Sequence, residues 1–220
     1  MSESIETTVL FRPSTAGMRF LPEGPYDCGR KLSWVAIQHG ADAVVGSLNL
    51  FDLTTGINRQ YTLPGRPGFA FPTSNPGEFI LGLERHLQLF NTQTHEWRCV
   101  AGPVDSHTTG TIINDGTLFE GGLIFGCKDL RFAEKKAGLY LYRYSDRQLI
   151  ELRRDQICSN GKEVIQLQGQ RTLIDIESVT PNEEQVGLWL FDYLSKLAAQ
   201  TGGHVEKIEV EPKRYNVYAH

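Results

Sequence analysis

Three oxygen-bearing side chains, each in a short glycine-containing motif, are the residues of this sequence best suited to chemistry. Glu23 lies in the run Leu-Pro-Glu-Gly-Pro, Asn114 in Ile-Asn-Asp-Gly and Asn160 in Cys-Ser-Asn-Gly. Carboxylate and amide oxygens are hard ligands that suit calcium or magnesium rather than a soft metal. A purely structural role is the alternative for all three residues. Glu23 could simply be an acidic residue in a turn, and an asparagine before glycine tolerates the left-handed backbone of a turn.

A repeated order of short apolar segments runs along the chain and must position these side chains. Each copy has a buried apolar strand, an alternating strand, a polar turn and a final strand. Leu48 and Leu50, like Leu139 and Leu141, recur with the period of two that is typical of strands. The copies cover approximately residues 21-64, 65-102, 103-153 and 154-211, close to the roughly 40–50-residue spacing of a propeller blade.

This repeat predicts an all-β protein: a β-propeller of four-stranded antiparallel blades, with about four blades visible, in a single domain over residues 1-220. A β-sandwich or barrel of short strands is the alternative. In the fourth copy we expect strands at 171–176, 187–193 and 205–210, and a loop at 194–200. Inner strands of a propeller converge on one axis, so residues that directly precede them point into a common funnel. We expect Glu23, Asn114 and Asn160 to occupy that position in three blades.

The three motifs, in this order, resemble those of the senescence-marker protein, regucalcin and gluconolactonase family of six-bladed propellers. The resemblance extends over nearly the whole chain from about Leu21. It implies a divalent metal, with calcium first and zinc, manganese or magnesium as alternatives, and hydrolysis of sugar lactones or related carboxylic esters. It also implies that Glu23 and Asn160 bind the metal, and that Asp129 contacts the substrate from a loop of the third copy. For Asn114 it implies substrate binding, with direct metal binding or the holding of a bound water as alternatives.

The sequence departs from the family pattern after the third motif. Family members usually carry a later Asp that binds the metal and is a candidate general base, and we find no such motif after Asn160. Ile112 replaces an Arg that is common before the second motif, and 168–169 reads Gln-Gly where Asp-Gly is common. Asp175 is the nearest downstream acid, but the family pattern places it in a strand rather than in the metal shell.

With four blades visible of the six that are usual, the sequence predicts a shortened family member or a fragment. Open blade edges invite self-association. Without a general base, which is typically worth about 10²–10⁴-fold in rate, lactonase activity should be slow or absent.

Composition restricts the partners and the compartment. The formal net charge of -4 and the absence of a Lys/Arg run argue against a nucleic-acid partner. No apolar run approaches the ~20 residues of a membrane-spanning helix, and no signal peptide is recognisable, so we expect no membrane partner and a cytoplasmic location. The four cysteines and six histidines lack metal-binding spacing, which argues against a zinc site built on them.

Three functions therefore compete. The first is a metal-dependent lactonase that acts on a small-molecule lactone or ester. The second is a non-catalytic calcium-binding or interaction propeller, and the third is an inactive fragment. The missing Asp and the missing blades favour the second and third.

Overall fold

The computed structural model describes residues 9–167, 170–174 and 184–219. The chain divides into two compact units, Met1–Gly102 and Pro103–His220. Three consecutive four-stranded antiparallel sheets, each a meander in which sequence neighbours pair, make up most of the described residues. The prediction of an all-β fold built from propeller blades is confirmed.

The first unit contains two of these sheets, preceded by a short 3₁₀ helix at Gly17–Arg19. The first sheet consists of β1 (Pro22–Asp27), β2 (Lys31–Ala36), β3 (Ser47–Asp52) and β4 (Asn58–Thr62), and the second of β5 (Pro67–Pro72), β6 (Glu78–Leu83), β7 (His86–Asn91) and β8 (Trp97–Ala101). Alternate side chains of both sheets share one buried apolar cluster, which includes Val35, Leu48, Leu81 and Phe90. Burial of these side chains, at about 25 cal/mol per Å² of apolar surface, holds the two sheets together.

The second unit contains the third sheet and a more irregular C-terminal part. The third sheet consists of β9 (Thr111–Phe119), β10 (Gly122–Asp129), β11 (Ala137–Arg143) and β12 (Gln148–Gln156). It is followed by the hairpin of β13 (Glu163–Leu167) and β14 (Gln170–Ile174), the helix α1 (Glu184–Thr201), and the hairpin of β15 (Val205–Glu211) and β16 (Arg214–Ala219).

The strand predicted at 187–193 and the loop predicted at 194–200 are both wrong, because both segments lie in α1. The buried and partly buried positions Gly187, Phe191, Leu194 and Ala198 follow the i, i+4, i+7, i+11 spacing of a helix face. Tyr215 of β16 lies 3.2 Å from the place that a Cβ on Gly187 would occupy, so the helix packs closely on the last hairpin. No helix in the described part of the chain is both long and apolar enough to cross a membrane.

The first strand of each four-stranded sheet was missing from the predicted repeat. The sequences of β1, β5 and β9 contain Gly or Pro, and their apolar and polar residues do not alternate regularly. Both Gly and Pro weaken the sequence signal of a strand. Each of these strands also carries a β-bulge against its neighbour, at Glu23/Tyr26, at Pro67/Phe69 and opposite Gly126/Cys127. Such strands are tolerated at a sheet edge, where bulges and prolines are common. Glu23 and Asn114 therefore lie within first strands rather than before them.

Candidate functional site

Asn114 lies at the bulge of β9. Asp115 pairs with Gly126 and Ile113 with Cys127, so Asn114 is the additional residue between the two pairs. A bulge redirects the side chain of the additional residue. The side-chain Nδ2 of Asn114 donates hydrogen bonds to the carbonyl oxygen of Ser159 at 2.9 Å and to the Sγ of Cys158 at 3.5 Å.

These two partners fix the orientation of the Asn114 amide, because a carbonyl oxygen accepts and cannot donate. The Oδ1 atom is thereby directed away from residues 158–159. No described residue donates a hydrogen bond to this oxygen. Asn114, which is partly buried, therefore presents a fixed oxygen acceptor that a cation or a substrate hydroxyl could use.

Asp115 forms the second connection between the two asparagine motifs. Its Oδ1 accepts the N–H of Gly116 at 2.8 Å, and its Oδ2 accepts the N–H of Gly161 at 2.8 Å. The ammonium group of Lys162 lies 3.4 Å from the same Oδ2, with the lysine side chain fully buried and that of Asp115 28% exposed. Asp115 is thus joined to residues 46 and 47 positions away in the sequence.

Asn160 belongs to this cluster and is exposed. Its Oδ1 accepts the N–H of Gly161 at 3.2 Å. The left-handed backbone in this motif is at Gly161 (φ 61), whereas neither Asn114 nor Asn160 has a positive φ. A need for left-handed backbone at the two asparagines therefore does not explain their presence.

The segment that carries Asn160 is attached to the end of β10. The N–H of Ser159 donates to the carbonyl of Cys127 at 3.1 Å, and the N–H of Asp129 donates to the carbonyl of Ile157 at 2.7 Å. Ser159 is fully buried and lies directly over Gly126, where an added Cβ would be 2.0 Å from its Oγ. Gly126 therefore provides the space in which Ser159 can accept the Asn114 hydrogen bond.

Asp129 stabilises the loop that follows β10. Its carboxylate accepts the N–H groups of Ala133 and Glu134 at 3.0 Å and of Arg131 at 3.3 Å, and pairs with the Lys136 ammonium at 3.3 Å. Burial alone would raise the pKa of Asp129, but these N–H groups and Lys136 outweigh it and hold the pKa at about 2. The side chain is 1% exposed, so the structure describes a loop-stabilising role and no substrate-facing oxygen.

Glu23 belongs to the first unit, whereas the two asparagine motifs belong to the second. It is exposed on β1, and the glycine that follows it has a φ of 56 at the bulge between Glu23 and Tyr26. Its side chain borders an apolar groove of about 340 Å³ that is lined by Trp34 and Phe51. The carboxylate is thus the polar edge of a mainly hydrophobic surface.

The two side chains predicted to bind a metal, the carboxylate of Glu23 and the amide of Asn160, each offer a hard oxygen of the kind that suits a divalent cation such as calcium. Within residues 9–167, 170–174 and 184–219, no group of three or more His, Cys, Asp or Glu side chains is placed to hold a metal. A site that relies on asparagine oxygens carries little negative charge. Because calcium affinity rises with ligand charge, such a site would bind weakly.

Comparison with known proteins assigns the chain to a family. Residues 21–193 match the family described as the SMP-30/Gluconolactonase/LRE-like region. The chain belongs to this family. No curated protein matches the chain significantly.

Two solved structures show the fold shared by this family member. A luciferin-regenerating enzyme superposes with a TM-score of 0.59 at 17% identity, over 75% of this chain and 58% of the other. A calcium-binding protein, regucalcin from Agrobacterium tumefaciens, superposes with a TM-score of 0.56 at 20% identity, over 65% of this chain and 46% of the other. This family member thus spans about half the length of the structures that it resembles.

Three residues of the cluster were not selected from the sequence. Asp115 lies inside the second motif and Ser159 inside the third, which Lys162 follows. No local pattern shows that Asp115 would pair with Lys162 or that Ser159 would accept a hydrogen bond from Asn114. Asp175 and the Gln-Gly pair at 168–169 lie outside the described residues, so their roles stay predictions.

Proposed function

We propose that this chain is a metal-dependent lactone hydrolase of the gluconolactonase and regucalcin type, acting slowly on a small-molecule sugar lactone or related ester. The observation that carries the proposal is the junction of Asn114 with Ser159 in a chain of this family. This junction brings the second and third motifs together and fixes the Oδ1 of Asn114 as a free acceptor.

Glu23 and Asn160 are the residues proposed to hold a divalent cation, with calcium first and zinc, manganese or magnesium as alternatives. Oxygen donors favour calcium, magnesium or manganese over zinc, and the resemblance to a calcium-binding regucalcin supports calcium among these. Such a cation would supply Lewis-acid polarisation of the lactone carbonyl and a lower pKa for a bound water.

The chain's own contribution is mainly orientation of the substrate. Asn114 Oδ1 accepts a hydrogen bond from a substrate hydroxyl, and its position is kept by the Ser159 carbonyl. Asp115 keeps the third motif in place through Gly161, and Asp129 keeps the shape of the loop after β10. Both oxygens of Asp115 accept backbone N–H groups, which makes it a poor general base, so we expect slow turnover.

Metal binding is tested by thermal unfolding with and without calcium. A ligand that binds only the folded protein at ten times its Kd stabilises it by about 1.4 kcal/mol, which raises Tm by roughly 3–6 °C in a chain of this size. Glu23→Gln should remove the increase, whereas Glu96→Gln, at an exposed acid on the turn before β8, should keep it. An increase that survives Glu23→Gln would exclude Glu23 from the site.

Catalysis is tested by hydrolysis of D-glucono-1,5-lactone with added calcium, zinc, manganese or magnesium. We expect metal-dependent turnover about 10²–10⁴-fold below that of an enzyme with a general base, and its loss in Glu23→Gln. Calcium-dependent stabilisation without turnover would contradict the enzyme and identify a calcium-binding propeller. Absence of both effects would identify an inactive chain.

Two further properties are part of the proposal. We propose a cytoplasmic location, because the cysteines within the described residues are free thiols, which suits a reducing compartment.

We also propose self-association through open blade edges, since exposed strand edges pair readily. A mass that stays monomeric in light scattering across protein concentrations would contradict this association.

A further inference from the structure

A cleft lies between the first two sheets of the first unit, at the end where β5 turns into β6. Its volume is about 550 Å³, within the range of roughly 300–1,000 Å³ that is usual for small-molecule sites. The buried side chains of Leu50 and Phe79 form part of its apolar lining. Glu23, Asn114 and Asn160 do not line it.

Two cations of the first sheet face this cleft. Ser33 pairs with Leu50, and Leu50 pairs with Arg59, so these three side chains form a row across one face of the sheet. Lys31 is two residues from Ser33 and therefore faces the same side. Both Lys31 and Arg59 line the cleft.

Neither cation forms a close ion pair with a described residue, although Asp52 lies near enough to Lys31 for a weak electrostatic interaction. Lys31 and Arg59 form no ion pair within 4.0 Å with any described residue. Asp52, the residue opposite Lys31 on β3, directs its Oδ1 to the N–H groups of Thr54 and Thr55 at 2.9 and 3.0 Å. The positive wall is therefore available to an anion.

The wall of the cleft opposite these two cations provides a hydrogen-bond acceptor. Glu78 is half-buried, and its Oε1 accepts hydrogen bonds from Thr73 Oγ1 at 2.9 Å and Asn75 Nδ2 at 3.0 Å. Its Oε2 accepts no hydrogen bond from the described residues. One oxygen of a fixed carboxylate is thus left for a hydroxyl or ammonium donor.

The loop that carries this wall is held before any ligand arrives. Thr92 donates both its N–H, at 2.8 Å, and its Oγ1, at 2.9 Å, to the carbonyl of Gly77. These bonds attach the β5–β6 turn to the β7–β8 turn. A preformed wall reduces the entropy that binding must overcome.

We propose that this cleft binds a small polyhydroxylated carboxylate, a sugar acid. Lys31 and Arg59 bind the carboxylate, and guanidinium groups are well suited to this task. Glu78 Oε2 accepts a hydroxyl hydrogen, and the C–H groups of the ligand lie against Leu50 and Phe79. The proposal does not depend on lactonase activity, because no residue is shared with the proposed metal site.

The test is titration calorimetry of D-gluconate into the full chain at low ionic strength. The titration is repeated with EDTA-treated protein that carries Glu23→Gln, so that gluconate cannot bind through the proposed metal site. Loss of hydrogen bonds to charged groups, at about 1.5–3 kcal/mol each, predicts at least about tenfold weaker gluconate binding in the double variant Lys31→Gln/Arg59→Gln. The control variant Arg98→Gln, at an exposed arginine of β8 outside the cleft, should bind gluconate as tightly as the parent chain.

Two related compounds define the ligand class. Sorbitol lacks the carboxylate and acetate lacks the hydroxyls, so each should bind at least about tenfold more weakly than gluconate. Equal binding of acetate would overturn the sugar-acid assignment. The site itself would be refuted by gluconate binding that is undetectable in the parent chain, or unchanged in a double variant whose Tm shows that it is folded.

Discussion

Gly126→Ala is the substitution that tests the junction of the two asparagine motifs most directly. The new Cβ would lie 2.0 Å from Ser159 Oγ and 2.2 Å from Ser159 Cβ. Since real Cβ contacts are essentially never shorter than 3.0 Å, Ser159 would have to move by at least about 1 Å. Its backbone cannot move freely, because its N–H is bonded to Cys127 and its carbonyl to Asn114.

The expected destabilisation follows from these contacts. Inserting a methyl group into a well-packed interior costs about 1–3 kcal/mol, and a weakened hydrogen bond adds about 1 kcal/mol. Together these costs amount to about 2–4 kcal/mol, which at about 2–4 °C of Tm per kcal/mol for a chain of this size lowers Tm by roughly 4–16 °C. Displacement of Ser159 should also reduce the calcium-dependent rise in Tm, since Ser159 directly precedes the proposed metal ligand Asn160.

The assay is thermal and urea unfolding followed by circular dichroism, performed as a double-mutant cycle with Ser159→Gly. That second change removes both atoms that the new methyl group would meet. We expect the double variant to be more stable than the sum of the two single effects predicts, by at least about 1 kcal/mol. Additive effects, or a Gly126→Ala chain as stable as the parent, would show that Ser159 does not pack against Gly126 as described.

Two further predictions concern carboxylates. Asp115→Asn deprives the buried Lys162 ammonium of its counter-charge; because Asp115 is partly exposed, we expect a loss of about 1–3 kcal/mol in urea unfolding, and a clearly smaller loss for Asp155→Asn in an exposed pair that solvent screens. Equal losses would contradict the role of Lys162. For Asp129, the pKa of about 2 lies below the unfolded value of about 3.9, so its stabilisation is present above pH 4 and is lost as the pH falls towards 2. Stability in Asp129→Asn should therefore vary less between pH 4 and 2, and an unchanged pH profile would refute the bonds to Lys136 and the loop.

The repeat could be predicted from sequence because its signals are local. The repeated order of short segments gave β6 and β7 with the bounds that the structure has. The turns can also be predicted from local sequence, because Asp52 and Asn91 each accept two hydrogen bonds from backbone N–H groups two and three residues further on. The residues four positions on, Gly56 and His95, both adopt left-handed backbone, with φ of 69 and 61. Each interaction spans only a few residues.

The family motifs were also readable, because each is a continuous run of four or five residues. The sequence could therefore identify Glu23, Asn114 and Asn160 as a set, and the family match agrees with the resemblance that these residues carry. Which of their oxygens are available could not be predicted. The direction of the Asn114 amide depends on a carbonyl 45 residues away.

Only the tertiary structure decided the C-terminal part and the role of Asp129. Alternation at 187–193 favoured a strand, but contact of α1 with the last hairpin stabilises a helix there, as the packing of Gly187 on Tyr215 shows. An aspartate in a loop could contact a substrate, but Asp129 is buried beneath its own loop, and its carboxylate accepts hydrogen bonds from backbone N–H groups. For α1, the contacts with the last hairpin that select a helix over a strand have no signal in a short run of sequence. For Asp129, the partners Arg131, Ala133, Glu134 and Lys136 are close in sequence, but the loop has no repeating pattern that shows which of its N–H groups will turn towards the carboxylate.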